Sequence, residues 1–252
     1  MRPIKHMRNV LIGTTASLIV GAAAPATILA APIRPAGSHT VSTKVSSPDA
    51  ETKAAVNAFS TSVRGLSHPR ALESAFHAYY AYKAAHPDEV KKPYLYFVDF
   101  GQPATAARGY VFDMNSRTIV DGPFTVAHGS GSGSGIPTRF SNGAGTKATS
   151  LGLYTTASTY AFSGKNAGRP YKSVGLRLKG QSKGFNDAAL ARGVVAHGAP
   201  YVTATKAGRS QGCPAMEPSR ADRLLPMIAN GSVVFLFAPD AGWMASDQWI
   251  AA

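Results

Sequence analysis

The chain carries a single thiol, Cys213, and sixteen residues before it a histidine, His197, closing the apolar run Val194-Val195-Ala196. Covalent catalysis needs little more than such a pair. A thiol with an ordinary pKa of about 8.5 is mostly protonated at neutral pH, whereas the thiolate is the competent nucleophile. An imidazole beside it takes the proton and holds the resulting ion pair. His197 ends a predicted strand, and Gly198 and Pro200 then turn the chain. Cys213 lies between Gly212 and Pro214, a setting for a constrained turn rather than a regular element. A strand, a loop of this length and a return suffice to bring the two side chains together. Arg209 would add positive potential and Ser210 a hydrogen bond. Gly212 would leave the amides leading into Cys213 uncrowded and able to face a developing oxyanion.

The same residues admit plainer readings. A lone cysteine can be a small buried hydrophobe or pair between chains, and His197 can be a satisfied histidine at a strand end. Other chemistries have less support. One cysteine and dispersed histidines (His68, His77, His86, His128, His197) do not make the short ligand spacings of a structural zinc site, so no metal and no cofactor is expected. The Gly-Ser run from Gly129 to Gly135 is followed by no Gly-Lys-Ser/Thr and has no βαβ context, which argues against a phosphate loop; it reads as a mobile loop beside a groove. It matches Gly-x-Ser-x-Gly only by repetition, so a serine hydrolase is not indicated either.

The elements that must position the pair begin after a leader. Arg2, Lys5 and Arg8 precede the uncharged run Val10 to Ala24, and small residues follow around Ala24-Pro25-Ala26 and Ala30-Ala31. This is the order of a secretory signal peptide, and the run falls short of the roughly 20 apolar residues that span a bilayer. The expectation is export to the periplasm or cell-wall space, with residues 1–30 removed and no stable membrane insertion afterwards. Loss of those three cations takes the formal charge from +13 to +10, which favours anionic partners. Export and the scattered placement of the cations argue against nucleic acid. The oligomeric state is left open.

Residues 31–50, rich in Pro, Ser, Thr and Gly, read as a flexible tether. Over 51–92, Ala55, Phe59 and Val63, then Leu72, Phe76, Tyr79 and Tyr80 after Pro69, recur at helical spacing and predict two helices in an accessory segment. The catalytic domain is placed at 93–239 and a tail at 240–252. Strands are predicted at Tyr94 to Phe100, Gly109 to Met114, Ile119-Val120, Phe124 to Ala127, Leu151 to Thr156, Val174 to Lys179, Val194 to His197 and Val233 to Phe237. Turns are expected at Asn115-Ser116 and Asp121-Gly122, and a helix from Ser219 to Ala229 ended by Asn230-Gly231.

The segment His197-Gly198 through Ser210-Gln211-Gly212-Cys213 resembles the active-site signature of the murein L,D-transpeptidases, in the branch with Gly-Arg-Ser-x-Gly-Cys-Pro-Ala. Val126-Ala127-His128-Gly129, Phe140-Ser141-Asn142, Ser150-Leu151-Gly152-Leu153-Tyr154 and Phe185-Asn186 through Arg192 fall in the same order as in that branch, so the resemblance covers about residues 93 to 239. It implies a mainly β fold, a β-rich catalytic domain of mixed sheets with a groove, preceded by a short helical segment and carrying a late helix. It also implies that Cys213 attacks the L–D bond of meso-diaminopimelate in a tetrapeptide stem of peptidoglycan, with His197 as general base, the Gly198 carbonyl orienting the imidazole, and amides around Gly212 and Cys213 as the oxyanion hole. A second stem's amine would resolve the acyl-enzyme; with water instead, the activity would be that of an L,D-carboxypeptidase, and without turnover the chain would be a wall-binding protein. A carbapenem, whose strained amide resembles the acyl donor, is expected to add to Cys213. His128, Arg139, Asn142 and Tyr154 are candidates for the substrate groove; His128 can equally be structural, with no nucleophile beside it in the sequence, and each of the other three can be a loop or turn residue. Gln211 stands where the commoner pattern has histidine and is expected to tune the same pocket.

Overall fold

The computed structural model describes residues 46–63 and 65–250, all within one compact unit, Lys44–Ala252. The expected signal peptide and residues 31–45 of the expected tether lie outside the described residues. Helix α1 spans Pro48–Phe59 and α2 Ala71–Ala85. The tether was expected to run to residue 50, yet the helix already begins at Pro48. The Ser47 hydroxyl caps it by accepting from the Ala50 N–H at 3.2 Å, Pro48 presets φ in the first turn, and Asp49 and Glu51 complement the helix dipole. Residues that look like linker by composition are therefore a helix start.

The strands are β1 (Tyr94–Asp99), β2 (Ala107–Asp113), β3 (Thr118–Thr125), β4 (His128–Gly129), β5 (Gly152–Asn166), β6 (Arg169–Gly180), β7 (Val195–Gly198), β8 (Arg209–Ser210) and β9 (Ala215–Met216). Helix α3 (Pro218–Ile228), strand β10 (Val233–Phe237) and helix α4 (Ala241–Ser246) complete the chain. Eight strands form one mixed sheet in the order β3-β2-β1-β10-β5-β6-β7-β9, and β4 pairs with β8 in a separate parallel ribbon. The fold is mainly β, as the sequence predicts, and it has three predicted helices plus a fourth, α4, in what was expected to be a tail. Within the sheet β1 runs parallel to β10 and β7 parallel to β9; the other pairs are antiparallel. The apolar run Val233–Phe237 is buried at every position, which suits a central strand covered on both faces.

Two sequence expectations change. The strands predicted at Leu151 to Thr156 and Val174 to Lys179 are the inner halves of a long β5–β6 hairpin, whose outer half alternates exposed and partly buried residues and so lacks a continuous apolar run. Asp121-Gly122 is not a turn but lies within β3, ahead of a cis Gly122-Pro123 bond. There Arg220 and Arg223 of α3 grip the Asp121 carboxylate, and Arg220 lies 4.5 Å from the Phe124 ring centroid. The helical segment packs on the sheet. Phe59 and Phe76 lie 4.7 and 5.5 Å from the Phe112 ring of β2, and Tyr82 packs on Trp249 at 4.8 Å, so α1, α2 and the C-terminal residues share one core with the strands. Full burial of each such side chain contributes about 1.5–3 kcal/mol. Asp99, at the end of β1, fastens the same segment by accepting from Ser67 N at 2.7 Å and Ser67 Oγ at 2.5 Å.

Candidate active site

His197 lies on β7 between Gly175 of β6 and Ala215 of β9. Its N–H donates to the Pro214 carbonyl at 3.3 Å, so the residue after Cys213 is hydrogen-bonded directly to the histidine's own backbone. The sixteen-residue excursion between them thus returns the cysteine to the same sheet edge. The imidazole is buried, stacked on Phe162 of β5 at 4.2 Å with planes 16° apart. Its Nδ1 lies 3.0 Å from the Gly198 carbonyl. A carbonyl only accepts, so Nδ1 carries the proton and Nε2 keeps its lone pair. Among the described residues Nε2 meets no hydrogen-bond partner. Burial lowers the His197 pKa, against the raising effect of the Gly198 bond.

Cys213 is a free, half-buried cysteine. Burial pushes its thiol up, opposed by the Val195 backbone and by the Arg192 guanidinium. Both shifts favour neutral partners at rest, a thiol and an imidazole rather than the ion pair expected from the sequence. Among the described residues no hydrogen bond joins Cys213 to His197. In many free enzymes such contacts are long and tighten only in the reacting complex.

An open cavity of about 360 Å³ faces Cys213, lined among others by Lys147, Arg192 and Gln211. Arg192 enters it on a fixed stem, with NH1 donating to Ser141 O (2.8 Å) and Ser150 Oγ (2.6 Å) and NH2 to Ala148 O (3.0 Å). All three partners are neutral, so its charge is available to the thiol and to a ligand. Ser210 locks the cysteine's own loop: its hydroxyl accepts from Gly212 N at 3.1 Å and donates to Cys213 O at 2.6 Å. The Gly212 N–H is thereby spent and is not an oxyanion donor, contrary to expectation. Among the described residues the Cys213 N–H meets no acceptor. Gly212 itself sits at φ +126°, where a side chain would be strained.

Several predicted site residues lie elsewhere. Arg209 is exposed and lines a second opening of about 510 Å³ with Lys165, Tyr201 and Lys206; the cation acting on the thiol is Arg192. His128 is fully buried. Arg108 NH2 can only donate to its Nδ1, at 3.0 Å, so Nε2 carries the proton and donates to Gly133 O at 3.1 Å. Burial, with further push from Arg108 and Arg209, drives its pKa down to about 4. It props the scaffold and does not face the groove. Tyr154 is also fully buried, donating to Ser150 O at 2.9 Å. Arg139 ties to Gly131 O at 2.7 Å, and Asn142 bridges to Asp187 and Ala188. Of the five groove candidates only Gln211 lines the cavity. Nor is the Gly129–Gly135 run a mobile loop at its start: Ser132 is fully buried, and a Cβ at Gly131 would collide with the Thr146 carbonyl, so glycine lets two backbones touch.

The sequence reading missed Arg192 as a site residue, although Arg192 closes one of its matching segments. It also missed Phe162 and the phenols of Tyr160, Tyr171 and Tyr201, which all sit within electrostatic reach of Cys213. Period-two alternation places Tyr160 and Phe162 on one face of β5, beyond Thr156, where the predicted strand stops. Another cavity, about 570 Å³ near Tyr80 and Arg117, is lined by neither cysteine nor histidine. Among the described residues no group of three His, Cys, Asp or Glu side chains is placed to hold a metal ion, and no helix is long and apolar enough to cross a membrane.

A search of curated proteins gives no match. Among solved structures the chain is similar to an L,D-transpeptidase from Mycobacterium smegmatis, at 16% identity and TM-score 0.34, covering 58% of this chain and 59% of that one. It is similar also to an L,D-transpeptidase from Stackebrandtia nassauensis (16% identity, TM-score 0.38, 69% of each chain) and to an L,D-transpeptidase in complex with imipenem (13% identity, TM-score 0.35, 57% of this chain and 59% of that one). The chain thus spans about three fifths of the length of the first and third of these, and at such distances no residue role carries across. Residues 65–237 match the family model of the L,D-transpeptidase catalytic domain, YkuD_2. With more than half of its length matched, the chain belongs to the L,D-transpeptidase catalytic domain family.

Proposed function

We propose that the chain is an exported peptidoglycan L,D-transpeptidase that works through an acyl-enzyme on Cys213. The carrying observation is the sheet edge where β7 and β9 meet. A half-buried thiol opens on a cavity there, one residue away from the hydrogen bond that joins its loop to His197. The Nε2 lone pair of His197 has no other occupation. In the first half-reaction His197 takes the thiol proton as Sγ bonds to the stem carbonyl carbon, and the Cys213 N–H faces the oxyanion. The C–N bond to D-alanine then breaks, and the proton leaves on its amine. In the second half-reaction the amine of another stem attacks the thioester, gives its proton to His197, and the C–S bond breaks to restore the thiol. Lys147 and Arg192 supply positive charge for stem carboxylates. The leader-like residues 1–30 and the charge of the remainder support an anionic wall as the setting.

Mass spectrometry of muropeptides after incubation with the purified protein tests the reading. Cross-linked dimers are expected from the wild type and none from Cys213→Ala. Trimmed monomers without dimers would show that water resolves the intermediate; equal turnover by Cys213→Ala would remove the cysteine mechanism altogether. Imipenem offers a second readout, since opening of its strained amide by Cys213 adds the whole molecule to the intact mass.

A further inference from the structure

The Gly212–Cys213 peptide is held by a residue that does not line the cavity and is no part of the His-Cys pair. Thr149 is fully buried, and its hydroxyl makes two contacts: Gly129 N donates to it at 2.9 Å, and it lies 3.2 Å from the Gly212 carbonyl. A hydroxyl has one proton. With the Gly129 N–H occupying a lone pair, that proton must go to Gly212 O. Thr149 is itself immobilised, its N–H donating to Ser132 Oγ at 2.9 Å and its carbonyl accepting from Ser141 N at 3.0 Å. A trans peptide is planar, with C=O and N–H pointing in opposite directions. Fixing the Gly212 oxygen therefore fixes the direction of the Cys213 N–H, the amide that follows the one Ser210 consumes.

We infer that Thr149 is a positioning residue for acyl transfer, aiming the Cys213 N–H at the developing oxyanion by holding the Gly212 carbonyl. The inference rests on the proposed role of Cys213 as nucleophile. Ser210 and Thr149 then divide the work on this loop, Ser210 closing it and Thr149 setting its tilt. Acylation should depend on the hydroxyl, because misdirecting an oxyanion donor weakens stabilisation that exists only in the transition state. Simple alkylation of the thiol, which forms no oxyanion, should not.

The test compares Thr149→Val and Thr149→Ser with the wild type, using two probes on the full mature chain: imipenem, followed by intact mass, and iodoacetamide across pH. Thr149→Val is expected to slow imipenem acylation roughly tenfold to a hundredfold, while its alkylation rate and pH profile match the wild type. Thr149→Ser, which keeps the hydroxyl, is expected to recover most of the acylation rate. Equal slowing of both reactions by Thr149→Val, or acylation by it at the wild-type rate, would overturn the assignment. So would a Thr149→Ser variant whose acylation is slowed more than about tenfold relative to the wild type, and because this arm is read against the wild type it stands even if the valine variant does not fold. A wild type that alkylates but never acylates would instead remove the acyl-enzyme reading, and the inference with it.

Discussion

Two short strands of this molecule end in the same dipeptide, His128-Gly129 in β4 and His197-Gly198 in β7, and burial depresses the pKa of both histidines. They differ in what meets their nitrogens. His128 has both occupied, by a guanidinium that only donates and a carbonyl that only accepts, so its tautomer is fixed and no lone pair is left. His197 has one occupied, by its neighbour's carbonyl, and a ring rather than a polar group on its face. The lesson is that burial and local sequence do not make a base. What separates the two is a lone pair: His197 keeps one at Nε2, and His128 keeps none.

The largest effect that would break this contrast is on His197. His197→Gln should reduce acylation by imipenem about a hundredfold to a thousandfold, the range for loss of a general base, with thermal stability close to that of the wild type. A variant still acylated at the wild-type rate would make the two histidines equivalent. Next comes His128→Phe, which keeps a ring and removes both hydrogen bonds. It should cost about 1–3 kcal/mol of stability in denaturant melts and leave the acylation rate of the folded fraction within a few-fold. The same variant sharpens the pH argument. The folded His128 resists protonation down to about 4, against its ordinary 6.5, so in that interval the unfolded chain binds more protons. Its contribution to stability is therefore complete above about 6.5 and is lost as pH falls towards 4. Wild type and His128→Phe should converge in stability across that window; parallel curves would show that the buried ring is not the titrating group. The smallest effect concerns Phe162. Phe162→Leu thins the apolar cover over His197, and the acidic limb of the acylation profile should move up by a few tenths of a pH unit, towards the ordinary value for histidine.

Legibility from sequence tracked separation along the chain. The placing of His197 at the end of a strand beside the Gly198 carbonyl was readable because it rests on neighbours along the chain, and that of Val233–Phe237 because an unbroken apolar run announces its own burial. Helix α1 was half seen: its apolar spacing was found, but its Ser47-Pro48 start was mistaken for linker. The rest of the site was hidden by distance. Arg192 reaches Ser150, 42 residues upstream, and Thr149 reaches Gly212, 63 residues downstream. Neither contact leaves a periodic trace in the sequence. For His128 the sequence left a structural and a substrate-contacting role open, because the residue that decides for the structural one, Arg108, sits two strands earlier.

The shared core beneath the helices bears on how this fold can be inherited or divided. Phe59, Phe76 and Tyr82 fill space that the strands alone would leave open, and Ser67 gives the buried Asp99 carboxylate two of its hydrogen bonds, beside those from Gly101 and Gln102. A natural seam therefore cannot fall between the second helix and the first strand. Any recombination that exchanged the β-rich part as a cassette would need to bring both helices with it, or leave a carboxylate short of two hydrogen bonds and an aromatic cleft bare.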